Sequence, residues 1–289
     1  MAMNVESIHH VAIIGAGTMG QGIAEVCAIA GYTVSLYDIQ ADLTKMARGN
    51  IRKSLEGAVA HGKITETQKN EAIGRIQTVG DFRKLQVDLA IEAIVEKLEV
   101  KQKIFLELEK INAMNCILVS NTSSIPITQI AAVLKHRQRF AGLHFFNPAP
   151  KMKLVEIIRG AATSDNTISI LVSFIESVSK SSILVRDSPG FVVNRVARLF
   201  YSEALKVVED GVADVEAVDK LMKSVGFKMG PFELMDLIGI DTNFAVTTSM
   251  YHAFYNDPKF RPSRIQQQKV DAGHYGRKSG KGFYEYPST

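Results

Sequence analysis

From residue 8 onward, short β-branched apolar runs alternate with longer amphipathic stretches. "HHVAIIG" predicts a strand, "TMGQGIAEVCAIAG" a helix closed by Gly31, and "YTVSLYD" a second strand. That is a βαβ unit, the building block of a parallel sheet. Residues 41 to about 75 show no strand signal and predict two helices joined near His61 and Gly62, a helical hairpin inserted into the sheet pattern. The strand pattern resumes with "VDLAIEAI" (87–94), a helix over about 98–113, and "CILVSNTSS" (116–124). "RFAGLHFF" and "KLVEII" are two further strands, followed by a helix near 166–179 and "SILVR" (182–186). Alternation then stops. After "DSPGF" the segments "VVNRVARLFYSEALKVVEDG", "VEAVDKLMKSVG" and "PFELMDLIGIDTNFAVTTSMYHAFYN" are helical, with Gly and Pro at the breaks. The pattern predicts an α/β domain over 1–187 and an all-α domain over 188–289.

The first strand runs into "GAGTMGQG", where Gly15, Gly17 and Gly20 have the spacing G-x-G-x-x-G. Between a strand and a helix, such glycines serve the tight turn, the close approach of backbone to a pyrophosphate, and helix–strand packing. The helix N-terminus adds amide donors and the positive end of the helix dipole. Asp38 closes the next strand, where a carboxylate can bond both ribose hydroxyls of NAD and repels the extra phosphate of NADP. The expectation is a Rossmann-type, doubly wound sheet that takes NAD, with FAD the alternative.

Composition narrows the class without changing this picture. With 289 residues, 46% of them hydrophobic, the chain can build two ordinary cores. A net charge of +4 on 22% charged residues does not suggest a nucleic-acid partner, although a local basic site for an anionic ligand is compatible with it. Cys27 and Cys116 are too few for a disulfide framework, a thiolate zinc site or an iron–sulfur cluster, and suit a reducing compartment. "MAMNVESIHHVAIIG" has no basic region followed by a long apolar run, and apolar runs end before the roughly 18 residues of a membrane span. A cytoplasmic protein with no membrane partner and no metal is expected.

"GLHFFNPAPKMKLVEII" places His144 and Glu156 in otherwise apolar surroundings. Oxidation of an alcohol by NAD needs a base for the hydroxyl proton, and histidine can accept and return a proton near neutrality. A carboxylate on the other ring nitrogen fixes the tautomer and stabilises the imidazolium, a role that suits Glu156. The spacing exceeds one helix face, so contact requires the chain to turn back at "NPAP" and return as a strand. By spacing alone, a core histidine bonded to a carbonyl and a solvent-facing glutamate fit equally well.

"GAGTMGQGIA", "EAIVEKLEVK", "SNTSS", "GLHFFNPAPKMKLVEII" and "DSPGFVVNR" occur in one order and at the intervals of the short single-function L-3-hydroxyacyl-CoA dehydrogenases, among them bacterial 3-hydroxybutyryl-CoA dehydrogenases. The similarity runs from about residue 8 to the closing "GRKSGKGFYEY". The resemblance implies that His144 is the catalytic base and Glu156 its partner. It implies that Ser123 reaches the C3 oxygen of the substrate beside His144, and that Asn194 contacts the same polar end from the helical domain. On the cofactor side it implies Gly15, Gly17, Thr18, Met19, Gly20 and Asp38, with Asn121 and Ser123 of "SNTSS". Glu96 and Lys101 match residues near the nicotinamide ribose, and Asn147 helps position ligand or the histidine loop. Without the resemblance, Glu96 and Lys101 read as a helix-start acid and an exposed lysine, and Ser123 and Asn194 as a turn serine and a solvated asparagine.

The implied substrate is an acyl-CoA, and the hairpin offers Arg48, Arg52, Lys53 and Lys63 for its phosphates. Ser54 stands where the family has a pantetheine-contacting serine; His61 replaces a lysine that the family often has at the hairpin turn, with Lys63 two residues on. The ending "HYGRKSGKGFYEYPS" fails the count for a phosphate loop and belongs to the closing tail. Apolar positions on more than one face of the helices after 190 predict a homodimer through the helical domain. The alternatives are a dehydrogenase of a free hydroxy or sugar acid of the L-gulonate 3-dehydrogenase kind, and a non-catalytic NAD-binding sensor.

Overall fold

The structure is a computed structural model that describes residues 7–287. The chain divides into two compact units, one ending at Asp187 and the other beginning at Ser188.

The first unit is built on an eight-stranded sheet. Its strands are β1 (His10–Ile14), β2 (Thr33–Tyr37), β3 (Ile76–Val79), β4 (Leu89–Glu92), β5 (Ile117–Ser120), β6 (Phe140–Phe145), β7 (Leu154–Arg159) and β8 (Ser181–Arg186). They lie in the order β3-β2-β1-β4-β5-β6-β7-β8. Neighbours are parallel except β6 and β7, which run antiparallel. β1 and β4 are buried along nearly their whole length, which is why "VAII" and "LAIE" carry apolar residues on both faces. Helices α1 (Thr18–Ile29), α4 (Leu98–Ile111), α5 (Ile127–Ala131) and α6 (Asp165–Ser177) connect the strands.

The inserted hairpin is α2 (Ala41–Ala60) and α3 (Glu66–Arg75). A capping box starts α3: Gln68 N–H donates to Thr65 Oγ1 at 3.1 Å, and Thr65 N–H donates to Gln68 Oε1 at 2.8 Å. The core joins both helices to the sheet through Ala47, Ile51, Leu55, Ala72 and Ile73. β3 is absent from the pattern reading. "IQTV" is a four-residue edge strand with two exposed positions, too short to show alternation.

The second unit is helical: α7 (Val193–Glu209), α8 (Val215–Ser224), α9 (Pro231–Ile238), α10 (Ile240–Ala253) and α11 (Arg264–Asp271). Gly239, at φ +102°, divides the stretch read as one helical segment into α9 and α10. Two buried aspartates hold the closing tail. Asp236 accepts from Phe283 N–H, Tyr284 N–H and the Tyr286 hydroxyl at 2.9, 3.0 and 2.9 Å. Asp219 accepts from Phe232 N–H, Glu233 N–H and the Tyr284 hydroxyl. Burial, then the neighbouring Asp236, pushes the Tyr286 phenol up to about 12. A Cβ on Gly282 would lie 2.1 Å from Asp236 Oδ1, so "GKGF" is shaped by packing on that carboxylate. No described helix is long and apolar enough to cross a membrane.

Candidate active site

β1 and β4 adjoin at the point where strand order reverses, the place where open α/β sheets bind ligands beyond the carboxyl ends of their strands. Gly15 leaves β1 there at φ +107°, and a Cβ on it would meet Ala93 O at 2.5 Å. A Cβ on Gly20 would fall 1.8 Å from Gly15 O, so α1 crosses the loop at a distance only glycine permits. Gly17 differs: nothing lies within 4 Å of its built Cβ. No side chain caps α1 and its first turn holds no acid, which leaves its amides for an anion. Asp38 Oδ2 accepts from Ala16 N–H at 2.9 Å and Oδ1 from Gln40 N–H at 3.0 Å, tying the end of β2 to the loop. Thr18 is exposed and Met19 packs partly on the core. Gly17, the uncapped start of α1 and Asp38 are residues that could hold the phosphates and a ribose of a dinucleotide.

The contrast among the glycines is testable. Gly20→Ala is expected to lower Tm by roughly 5 °C, from ~1–3 kcal/mol of overpacking against backbone. Gly17→Ala, at φ −71°, is expected to keep Tm and to weaken NADH binding about tenfold or more in fluorescence titration. Equal Tm losses would refute the assignment of separate roles.

The antiparallel register of β6 and β7 sets His144 directly opposite Glu156. His144 Nδ1 and Glu156 Oε2 are 2.7 Å apart. The turn between the strands contains the cis peptide Asn147–Pro148, and Asn147 itself is exposed. Lys180 clasps this turn by donating to Ala149 O and Met152 O, both at 2.7 Å. Glu156 is 0% and His144 5% exposed, so the pair sits in low dielectric where a charge-assisted bond is strong. The carboxylate only accepts, which puts the proton on Nδ1 and makes Nε2 the basic nitrogen. Of the two readings left open by spacing, the solvent-facing glutamate is excluded by this burial.

Beside the dyad strand, Asn121 Oδ1 accepts from Phe145 N–H at 2.8 Å and fixes the end of β6 to the loop after β5. That loop is organised by Glu96. Its Oε1 accepts from Thr122 Oγ1 at 2.5 Å, from Ser123 and Ser124 N–H at 3.0 and 3.1 Å, and from Ser124 Oγ at 3.2 Å. Its Oε2 pairs with Lys101 Nζ at 3.2 Å. Burial raises the Glu96 carboxyl, but Lys101 and the donors outweigh it and hold the group below the usual carboxylate range.

Lys101 is 1% exposed, which corrects the reading of an exposed lysine. Its ammonium bonds Glu92 Oε1 at 2.6 Å, and Glu92, 0% exposed, also accepts from Ile94 N–H and from Ser120 Oγ at 2.6 Å. Lys101 therefore lies behind Glu96 as its support. Glu92 and Thr122 escaped sequence reasoning; the one signal for Glu92 is an acid ending an apolar strand.

Ser54 and Lys63 lie apart from this cluster, exposed on the hairpin. Ser54 hydrogen-bonds Glu25, whose carboxyl burial pushes upward. Asn194 stands in the first turn of α7, in the second unit. Among the described residues no group of His, Cys, Asp and Glu could hold a metal.

A glycine loop at the sheet's switch point and a buried His–Glu pair on neighbouring strands are the equipment of a dinucleotide-dependent dehydrogenase. The family model "3-hydroxyacyl-CoA dehydrogenase, NAD binding domain" matches residues 10–188, and the model for the C-terminal domain of the same family matches 190–286. The chain belongs to the 3-hydroxyacyl-CoA dehydrogenase family, whose members are NAD-dependent oxidoreductases. It is 46% identical to the 3-hydroxyadipyl-CoA dehydrogenase of Escherichia coli over 99% of its length, spanning 60% of that longer protein. It is 41% identical to the probable 3-hydroxybutyryl-CoA dehydrogenase of Bacillus subtilis, covering 96% of this chain and 98% of that one. The crystal structure of (S)-3-hydroxybutyryl-CoA dehydrogenase from Ralstonia eutropha superposes with a TM-score of 0.92 at 42% identity, covering 98% of this chain and 100% of that one.

Proposed function

We propose that the protein oxidises L-3-hydroxyacyl-CoA reversibly to 3-oxoacyl-CoA, with His144 as general base and Glu156 as its partner. The observation that carries this reading is the 2.7 Å bond between His144 Nδ1 and the buried Glu156 carboxylate. When bound, NAD would supply the acceptor for the C3 hydride. His144 Nε2 takes the C3 hydroxyl proton, and Glu156 stabilises the imidazolium that results. Ser123, oriented by Glu96, and Asn194 hold the C3 oxygen, while Ser54 and Lys63 of the hairpin contact the CoA portion. Relatives named for 3-hydroxybutyryl and 3-hydroxyadipyl thioesters support an acyl chain of C4 to about C6.

Following NADH absorbance with acetoacetyl-CoA, and in parallel with free keto acids, tests this reaction. Consumption with the thioester is expected; turnover confined to free acids would move the protein to a hydroxy-acid dehydrogenase, and tight NADH binding without turnover to a sensor. We place the enzyme in the cytoplasm, in keeping with the buried free thiols of Cys27 and Cys116. We also propose a homodimer through the second unit, where Val196, Leu221, Val225 and Phe227 are 69%, 63%, 64% and 49% exposed. Light scattering at micromolar concentration should give twice the chain mass; a monomer would overturn the dimer.

A further inference from the structure

Arg198 is buried in the second unit at 3% exposure, and no carboxylate among the described residues pairs with it. Its Nη1 donates only to neutral acceptors: Asn243 O at 2.8 Å, Asn243 Oδ1 at 3.2 Å and Thr247 Oγ1 at 2.8 Å. Gln266 Nε2 also donates to Asn243 Oδ1, at 2.8 Å, which fixes that acceptor in place. The guanidinium lies 5.0 Å from the centre of the Tyr201 ring. Burial pushes its pKa down only to about 10, so it is cationic near neutrality.

The other edge of the fork is not used in this way. Arg198 Nε is buried without a hydrogen-bond partner, as are Ser202 Oγ, one turn along the same helix face, and Asn243 Nδ2. An uncompensated buried cation is costly, and donors without acceptors add to the cost. For the guanidinium edge that carries Nε, the matching group is an anion with two acceptor oxygens. A carboxylate matches the Arg fork bidentately, in a way an ammonium could not reproduce.

Position on α7 says where such a carboxylate would come from. Asn194 and Arg198 are four residues apart on one helix face, separated by about 6 Å of helix rise. In the proposed reaction Asn194 holds the C3 oxygen. In a six-carbon chain, three carbon–carbon bonds of about 1.5 Å separate C3 from C6. A second carboxylate at C6 therefore reaches one helical turn from Asn194.

We propose that the enzyme selects 3-hydroxyacyl-CoA thioesters bearing a second carboxylate at the far end of a short acyl chain, and that Arg198 receives that carboxylate. The inference rests on the reaction proposed above and names its substrate class. Arg198 is then a specificity residue, with Asn243, Thr247 and Gln266 holding its orientation.

The test compares kcat/KM for 3-hydroxyadipyl-CoA and 3-hydroxyhexanoyl-CoA, which share six acyl carbons and differ in the terminal carboxylate. Both are measured with NAD on wild type, Arg198→Met and Arg198→Lys. The ratio of the two values cancels any loss of folded enzyme in the variants. Wild type is expected to favour the dicarboxylate at least tenfold. Arg198→Met should reduce that ratio about 30-fold, the scale of a charged hydrogen bond, and Arg198→Lys should keep part of it. A wild-type ratio near one overturns the proposal, as does a ratio unchanged in Arg198→Met. Loss of the dimer in Arg198→Met with an unchanged ratio would assign the guanidinium to a subunit contact instead. Failure of wild type to oxidise either thioester is a different result: it removes the proposed reaction itself.

Discussion

Replacing Glu156 by glutamine is expected to lower kcat by about 10²–10⁴ while leaving NADH affinity nearly unchanged. The substitution keeps size and a hydrogen-bonding oxygen, so the β6–β7 register that sets it opposite His144 should persist. What disappears is the negative charge against the imidazolium. Its effect is large because Glu156 is 0% exposed, where water does not screen the pair. The loss should fall on kcat, since the charge matters most when His144 carries the substrate proton. Stopped-flow turnover and NADH fluorescence on the same preparation separate the two quantities. Turnover within threefold of wild type would return Glu156 to a purely structural place in the sheet.

Lys101→Met is expected to destabilise the first unit by ~3–5 kcal/mol, the cost of breaking a buried ion pair by removing one partner. Glu92, with no exposed surface, loses its 2.6 Å cation, and Glu96 loses the charge behind it. The pH dependence has a defined sign. In wild type the Glu96 carboxyl is held below the usual carboxylate range, so its contribution is present above the unfolded-state pKa and is lost as pH falls through the folded value. In the variant Glu92 is a buried carboxylate without its cation, and Glu96 loses the charge that most lowers its carboxyl. Because the Glu96 contribution is absent from both proteins once that carboxyl is protonated, the deficit should narrow as pH falls through the wild-type folded value. Adding Glu92→Gln to Lys101→Met should recover part of the loss. Urea denaturation at several pH values measures all three effects, and a loss below 1 kcal/mol at pH 8 would show that the pair contributes little.

The parts of the site legible in sequence are those whose geometry is local. Gly15, Gly17 and Gly20 act within one strand–turn–helix, so their spacing alone encodes the turn, the open approach and the tight crossing. Asp38 follows because it ends the next strand. The His144–Glu156 contact was within reach because two short strands joined by a proline-bearing turn can pair only with their neighbours in sequence. Arg198 gave no such signal, standing as one basic residue in an amphipathic helix until Asn243 and Gln266 from other helices enclosed it.

Periodicity and the glycine pattern determined that this chain alternates strands and helices, carries a glycine turn at the end of β1, and turns helical after residue 187. Those properties follow from side-chain period and backbone permissiveness, which act over a few residues. Tertiary structure alone decided that Lys101 is buried, that Glu96 gathers the "SNTSS" loop, and that Asp219 and Asp236 strap down the tail. These depend on parallel strands and packed helices bringing distant segments together. A charged residue looks solvated in sequence until its partners, dozens of positions away, exclude the water around it.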